Sequence, residues 1–253
     1  MDNQLIKKDY TGGVQRTYST RSLHGQVVHE LGKRIVSGVL GEGETLPNET
    51  ELGAEFEVSR TALREGIKVL TAKGLLASRT RTGTRVRPRL EWNMLDPDIL
   101  AWRLESGQTE AFLRDLYEFR RATEPMAASL AALRASDAQI AQMTRALDGM
   151  TAAGTNVQAT IEPDLMFHQI ILNASGNQLL ASLGSLIETA LSFSFQMCAP
   201  DKKLDAVPTH RAVLDAIRNR DSVAASEAMF KLLDYSRAWN EEVLQELSLN
   251  TAS

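Results

Sequence analysis

The sequence has one cysteine, few aromatic residues and no long hydrophobic run, and each shortage excludes a class of protein. Cys198 has no partner within the chain, so a secreted scaffold held together by disulfides is excluded and a reducing compartment is expected. Aromatic residues make up 6% of the 253 residues, while alanine and leucine are abundant. This composition favours helices over a strand-rich sandwich.

Segments that would enter or cross a membrane are also lacking. The first ten residues carry no apolar run typical of a signal peptide. The most apolar late stretch, Leu179 to Phe195, is interrupted by Glu188 and several serines and is too short to span a bilayer. With 43% apolar and 24% charged residues, the chain has material for one large domain or two small ones. We expect a cytoplasmic protein with no membrane partner.

The net charge is −4, but the positive charge is concentrated in one segment. Residues 58–89 contain nine basic residues and one acidic residue, Glu65, a net charge of +8 that leaves −12 for the remainder. The positive charge of a solvated basic helix face is usually offset by acidic residues at i,i+4 spacing, and such residues are almost absent here. Such a block favours a surface that binds nucleic-acid phosphates, with a merely basic surface as the alternative.

Residue periodicity divides the first third of the chain into short elements. Residues 1–20 lack periodicity and are expected to form a flexible arm. Residues 21–88 then show a helical stripe from Leu23, a capping box at Asn48 for a second helix, and a third helix from the N-cap Ser59 to Lys73. Two short β-prone runs follow, around Thr82 and Gly83. Three helices and a hairpin in this order predict a winged helix-turn-helix domain.

The basic residues fall on the third helix and the wing of that domain. In a helix-turn-helix, the second helix of the motif enters the major groove with its first turns on the base edges. Arg60, Arg64 and Lys68 form one line along this helix, and arginine on guanine is the commonest specific contact. Four further residues are expected to contact phosphates or the minor groove: Lys73, Arg79, Arg81 and Arg85. A basic linker is an equal alternative for the last three arginines, Arg85, Arg87 and Arg89.

The rest of the chain shows helical periodicity and no strand signal. Residues 89–108 are expected to be a linker with a short helix from Ile99 to Glu105. Residues 109–248 are expected to form an all-α bundle of six or seven helices that binds an effector and forms the dimer. The helices are expected to start near Phe112, Ser136, Pro163, Gly176, Val207 and Asp221, with a kink or new start at Pro125.

Two of the four histidines are placed for chemistry. Asp164 and His168 share one helical face, and His210 begins a later helix. One aspartate and two histidines suit a divalent metal such as Zn²⁺, Ni²⁺ or Mn²⁺, and the alternative is a salt-bridged Asp–His pair with a capping histidine. The other two, His24 and His29, are expected to be ordinary surface or packing groups.

Two further residues are candidates for binding an effector. Arg120 lies one turn before Glu124, so it either forms an intrahelical salt bridge or holds a carboxylate of the effector. Gln196, within an apolar run, could add a hydrogen bond.

The run LPNETELGAEFEVSRTALREGIKVLTAKGLL (46–76), followed by RTRTGTRVRP, resembles the DNA-binding domain of GntR-type bacterial transcription factors. The resemblance implies that Arg60 and Arg64 make the main DNA contacts, assisted by Thr61 and by the wing tip from Arg81 to Gly83. Many members carry arginine where this chain has Thr50, so a contact from the second helix is lost or replaced.

The second part resembles the FCD effector domain of the FadR subfamily. The pattern comprises FRRxxEP (119–125), DxxxH (164–168), SGN (175–177) and HRA (210–212). In its metal-binding members one aspartate and three histidines surround a cation, beside which a small carboxylate effector binds. Asp164, His168 and His210 match three of these positions, while the fourth falls near Leu232, which cannot bind a metal. The resemblance therefore implies three protein ligands completed by water or effector oxygens, or weak metal binding.

The linker refines the functional expectation. WNxLDxDILxW (92–102) resembles regulators of galactonate catabolism and related sugar-acid repressors. We expect a homodimeric repressor that binds a palindromic double-stranded operator and leaves it when a sugar acid binds the helical domain. Three alternatives stay open: another small hydroxy or keto acid as effector, a direct response to a divalent metal, and a metal-dependent enzyme with Asp164 as base. No second acid–base pair near Asp164 supports the enzyme.

Overall fold

The computed structural model describes residues 17–79, 83–107, 109–184, 186–188, 191 and 206–251. The chain divides into two compact units, one ending at Thr109 and the other starting at Glu110. The predicted fold class is confirmed, because a helical N-terminal unit with a small two-stranded wing precedes an all-helical unit. Among the described helices, none has both the length and the apolar character needed to cross a membrane.

Three helices form the body of the first unit: α1 (Leu23–Val36), α2 (Glu49–Glu55) and α3 (Arg60–Ala72). Each begins at a side-chain cap, because Ser22, Asn48 and Ser59 accept hydrogen bonds from backbone amides of the first turn. At Asn48 the bond is reciprocated by Glu51, which completes the predicted capping box. The caps at Asn48 and Ser59 fix the residues at which α2 and α3 begin.

The wing is an antiparallel hairpin of β1 (Leu76–Arg79) and β2 (Gly83–Val86). Leu76 pairs with Val86 and Arg79 pairs with Gly83. The other edge of β2 is bonded to residues 43–46, with a bridge between Thr45 and Arg85. The wing is therefore attached to the loop that precedes α2.

Residues 89–105 and 17–20 pack onto the first unit, although the sequence suggested a linker and a loose arm. A 3-10 turn (Arg89–Glu91) leads to α4 (Pro97–Glu105), and Trp92 and Trp102 are buried in the same core as α1 and α3. Trp102 fits against Gly32 of α1, where an added Cβ would lie 2.4 Å from the indole. Tyr18 lies over Trp102 with ring centroids 6.0 Å apart. The sequence predicted the short helix from Ile99 to Glu105 but not its attachment to the first unit, because single buried tryptophans, rather than a repeating apolar stripe, anchor it.

The second unit consists of helices packed around one apolar core. Its described helices are α5 (Thr109–Arg134), α6 (Asp137–Ala153), α7 (Val157–Ala174), α8 (Gln178–Ser182), α9 (Val207–Arg218) and α10 (Ser222–Thr251). Helix α5 is continuous through Pro125, where a kink or new start was predicted. Helix α7 begins at Val157, earlier than predicted, because Asn156 caps it and the ring of Pro163 packs against Gly149 of α6.

Candidate functional site

The exposed face of α3 carries the residues predicted to read DNA. Arg60, Thr61, Arg64 and Lys68 are exposed, while Leu63, Gly66 and Leu70 on the opposite side are buried. The face is polar and basic along its length, which matches a helix that inserts into the major groove.

Ion pairs neutralise more of the basic block than the sequence suggested. Arg64 Nε lies 3.0 Å from each carboxylate oxygen of Glu49, the first residue of α2. Lys68 Nζ lies 2.7 Å from Glu65 Oε1. Arg64 is still 64% exposed, so solvent screens this pair and its contribution to stability is small. Because Arg64 bonds Glu49 through Nε, its Nη1 and Nη2 atoms can donate to another acceptor.

Lys73 is not on the exposed face of α3, and the prediction that it contacts phosphates is wrong. Its side chain is 6% exposed and ion-paired with Asp96 and Asp98. The sequence suggested a phosphate contact because Lys73 belongs to the basic block of residues 58–89. However, Lys73 comes five rather than four positions after Lys68, off the line of the α3 residues, and the chain turns at Gly74 so that residues 93–98 contact it.

The wing is only partly described. Arg79 ends β1 and Gly83 begins β2 in the left-handed region at φ +79°, and Arg81 and Thr82 lie outside the described residues. Arg85 is exposed and, among the described residues, has no carboxylate partner. Arg87 is instead paired with Glu91, with Nη2 2.5 Å from Oε2, which favours the alternative of a basic linker for that arginine.

In the second unit, three predicted ligand residues converge. Asp164 and His168 on α7 and His210 on α9 are all buried, and one ligand atom from each lies within 4.8 Å of the others. Residues 46 positions apart in sequence therefore meet because α7 and α9 pack in the same core.

The hydrogen bonds of the two histidines indicate which nitrogen faces the shared point. His210 Nδ1 lies 2.8 Å from the carbonyl oxygen of Ala206 and donates to it, so Nε2 is the nitrogen that faces Asp164. Nε2 lies 3.0 Å from Asp164 Oδ1 but makes no hydrogen bond of acceptable direction. This buried nitrogen, which makes no hydrogen bond although it lies beside an ionised carboxylate, is a ligand atom that a cation would satisfy. The donor set therefore fits a divalent metal.

Glu124 on α5 stands behind His168. His168 Nδ1 lies 2.6 Å from Glu124 Oε2, close enough for an ion pair although the ring N–H is not well directed at that oxygen. His168 Nε2 then faces Asp164, 3.9 Å from Oδ2. A carboxylate behind a histidine is the usual arrangement around a metal-binding imidazole.

Both carboxylates of the site are held in the charged form. Burial by itself would raise the pKa of Glu124, but Arg120 and His168 outweigh it and lower the pKa from 4.5 to about 2. Burial opposes ionisation of Asp164 too, and contacts with His210, His168 and Arg120 lower its pKa overall. An ionised Asp164 is the state that a metal requires.

Arg120 is ion-paired with Glu124 in the same helix. Its Nε lies 2.5 Å from Glu124 Oε1, and its Nη2 lies 3.4 Å from His168 Nε2. The intrahelical salt bridge is therefore present, and Arg120 also lines the cavity beside the three candidate ligands.

The cavity at the site is small and is lined by a face of α10 that sequence reasoning missed. It measures about 20 Å³, little more than one water molecule needs. Leu232, which the sequence placed at the family's fourth ligand position, lines the cavity together with four further residues of α10: Tyr235, Ser236, Trp239 and Asn240. Their spacing places them on one helical face, a signal that the sequence contained. Gln196 lies outside the described residues.

Comparisons with known proteins agree with both units. Residues 23–86 match the gntR family of bacterial regulatory proteins, and residues 115–235 match the FCD domain. The chain belongs to the GntR family of bacterial transcriptional regulators. The prediction of a DNA-binding regulator rather than an enzyme is therefore confirmed.

Relatives of this GntR-family regulator span nearly its whole length. It is 35% identical to the uncharacterized HTH-type transcriptional regulator YieP of Escherichia coli over 87% of this chain and 96% of that protein. It is 34% identical to the galactonate operon transcriptional repressor of Escherichia coli over 86% and 96%. The solved structure of Lar, from work on the Listeria monocytogenes agr system, shares the fold with a TM-score of 0.60 at 16% identity, covering 89% of this chain and 99% of Lar.

Proposed function

We propose that this GntR-family regulator represses a sugar-acid catabolic operon and leaves its operator when a hydroxy-carboxylate binds beside a divalent metal. The observation that carries the proposal is the meeting of two imidazole Nε2 atoms and an ionised Asp164 in one buried cavity. The likeness to the galactonate operon repressor supports an aldonic acid as the effector class.

The metal would be held by Asp164, His168 and His210, with Glu124 orienting His168 from behind. When bound, such a cation supplies positive charge that attracts carboxylate and hydroxyl oxygens of the effector. Arg120 adds a second positive charge at the same cavity. Zn²⁺, Ni²⁺ and Mn²⁺ each suit one carboxylate and two imidazoles.

In this proposal the cavity is too small for the effector, so the effector must move the surrounding side chains when it enters. That movement links effector binding to DNA release. A volume of about 20 Å³ accommodates an ion or a water molecule, so a sugar acid enters only if the lining side chains of α10 move. An effector that binds one conformation more tightly shifts the equilibrium toward it, and a coupling of about 1–3 kcal/mol is typical.

DNA recognition would use the exposed face of α3 with the wing as support. Arg60 and Arg64 would contact base edges with Thr61, and Lys68 would contact the backbone. The wing positions Arg79, Arg81, Thr82 and Gly83 would add affinity. A dimer reading a palindrome needs a self-complementary interface, for which the exposed Met126 and Leu133 of α5 are apolar candidates.

A screen of sugar acids by thermal shift, with and without a chelator, tests the effector proposal. An effector at 100 times its dissociation constant should stabilise the protein by about 2.7 kcal/mol, and the chelator should remove the shift. In a gel-shift assay the same acid should release operator DNA. Sugar acids that neither stabilise the protein nor release DNA would contradict this proposal.

His168→Ala should reduce the metal content of the purified protein and impair release by the effector, because one of three ligands is lost. Elemental analysis and the gel-shift assay measure the two effects. His24→Ala, which removes an exposed histidine in the first unit, is the matched control and should change neither. A normal metal content and normal release in His168→Ala would return His168 to a structural role.

The small cavity favours one second candidate, a regulator that responds to the metal itself. In that case the cation alone, without organic acid, should change operator affinity. Titration of each metal into the chelated protein on operator DNA separates the two functions.

A further inference from the structure

A buried cluster of charges lies at the C-terminal end of α3. Lys73 Nζ lies 2.8 Å from Asp96 Oδ2, 2.6 Å from Asp98 Oδ2 and 2.9 Å from Thr17 Oγ1. Asp98 is fully buried, and the Thr17 amide and hydroxyl both donate to its carboxylate. One lysine thus connects three separate segments of the chain.

The cluster joins the end of α3 to the beginning of α4. Lys73 is the C-cap of α3, and its carbonyl accepts a bond of 3.1 Å from the amide of Asn93. Asp96 is the N-cap of α4 and accepts from the amides of Asp98 and Ile99. Between them Gly74 has no room for a side chain, because a Cβ would lie 2.7 Å from the carbonyl oxygen of Glu91. Backbone, cap and ion pair therefore fix the same junction.

The burial of these charges makes the junction selective for one geometry. A buried ammonium or carboxylate is tolerated only with a partner at hydrogen-bond distance, so sliding α4 along α3 would leave at least one charge unpaired. Exposed ion pairs such as Lys68 with Glu65 impose no such condition.

We propose that Lys73 is a positioning residue for DNA recognition, which acts through Asp96 and Asp98 to hold α3 and α4 as one body. It does not contact phosphate itself. The angle at which α3 presents its first turns to the groove is then set by α4, the helix that ends the first unit. This inference rests on the proposed role of α3 as the helix that reads DNA.

The slope of log operator affinity against log salt concentration separates a positioning lysine from one that contacts phosphate. Removing a lysine that contacts phosphate lowers the magnitude of this slope by about one. Lys73→Met should instead weaken specific operator binding roughly 5- to 100-fold, the loss expected when one base contact is misaligned, and should leave the slope unchanged. Lys68→Met is the matched control and should lower the slope by about one.

Asp98→Asn provides a milder variant that keeps the shape of the cluster. If Lys73 contacted phosphate, weakening its acidic partner would strengthen DNA binding, whereas a positioning role predicts weaker specific binding with an unchanged slope. Tighter binding by Asp98→Asn, a lower slope for Lys73→Met, or normal operator affinity in both variants would overturn the inference. A Lys68→Met protein with an unchanged slope would instead count against the proposed orientation of α3 on DNA.

Discussion

At the scale of single residues, the partner of a side chain decides what that side chain does. Helix α3 and its C-cap carry four basic residues: Arg60, Arg64 and Lys68 at intervals of four, and Lys73 five positions later. Arg60 is exposed without a described carboxylate partner, Arg64 is oriented by Glu49, and Lys73 is buried between aspartates. Basic residues that are neighbours in the sequence therefore have different environments, according to which acidic side chains contact them.

Arg64→Ala should weaken binding to the specific operator by roughly 1–3 kcal/mol, the usual value of a bidentate arginine contact to guanine. Effector binding should stay normal because Arg64 belongs to the first unit. Fluorescence anisotropy with operator and with scrambled DNA measures the loss of discrimination. Arg145→Ala, which removes an exposed arginine of the second unit, is the control. If Arg64→Ala discriminates operator from scrambled DNA as well as Arg145→Ala does, Arg64 does not contact the bases.

Glu124→Gln should weaken metal binding about 10- to 100-fold, the usual effect of removing the group that orients a metal-binding histidine. Glutamine keeps the size of the side chain but loses the charge that faces His168 and Arg120. Competition with a chelating dye measures the affinity. Glu118→Gln, exposed on the same helix, should bind metal normally. Equal affinities in the two variants would show that His168 needs no orienting carboxylate.

At the scale of elements, close helix contacts determine which segments move together. Helix α4 belongs to the first unit because Trp102 packs against α1 at Gly32 and Trp92 is buried in the same core. The indole nitrogen of Trp92 donates to the carbonyl of Arg87 at 2.9 Å, so the buried ring has a polar partner. The segment that looks like a linker is therefore a structural part of the DNA-binding unit.

Gly32→Ala should lower the free energy of unfolding of the first unit by about 1–3 kcal/mol, the usual cost of overpacking a core. The added methyl group would lie 2.4 Å from Trp102, which is itself fully buried and cannot withdraw. Urea denaturation followed by tryptophan fluorescence measures the change. Gly53→Ala in α2, with its nearest contact at 3.4 Å, should be neutral or slightly stabilising. Equal stability of the two variants would mean that α4 is not fixed by this contact.

At the scale of the whole molecule, regulation requires that ligand binding in one unit changes DNA binding by the other. The two units have separate apolar cores, and the chain joins them next to Gly107, which has φ +75°. Coupling between two such sites is a free energy, so it acts equally in both directions.

Operator DNA should lower the affinity for the effector by the same factor by which the effector lowers operator affinity. This equality follows from thermodynamic linkage and holds whatever the structural route. Isothermal titration of the effector, with and without a saturating operator duplex, measures one factor, and operator titrations measure the other. A scrambled duplex should leave effector affinity unchanged at moderate salt. An effector that binds equally well with and without operator would show that it is not the inducer.

The sequence by itself determined the order of elements and the types of residue in the site. Caps and glycines act locally, which is why the starts of α1, α2 and α3 and the stop at Gly74 follow from the residues alone. The i,i+4 spacing of Asp164 and His168 likewise fixes their shared face within one helix. Such features depend on neighbours a few positions away, so the sequence contains them directly.

Only the tertiary structure decided which distant groups meet. The burial of Lys73 depends on a chain reversal and on aspartates more than twenty positions away, and the face of α10 at the cavity depends on how α10 packs against α7 and α9. The contact between Glu124 and His168 joins two different helices, so no sequence spacing predicts it. Charge burial is a property of the packed core, since the cost of desolvation exists only after the surrounding elements have excluded water.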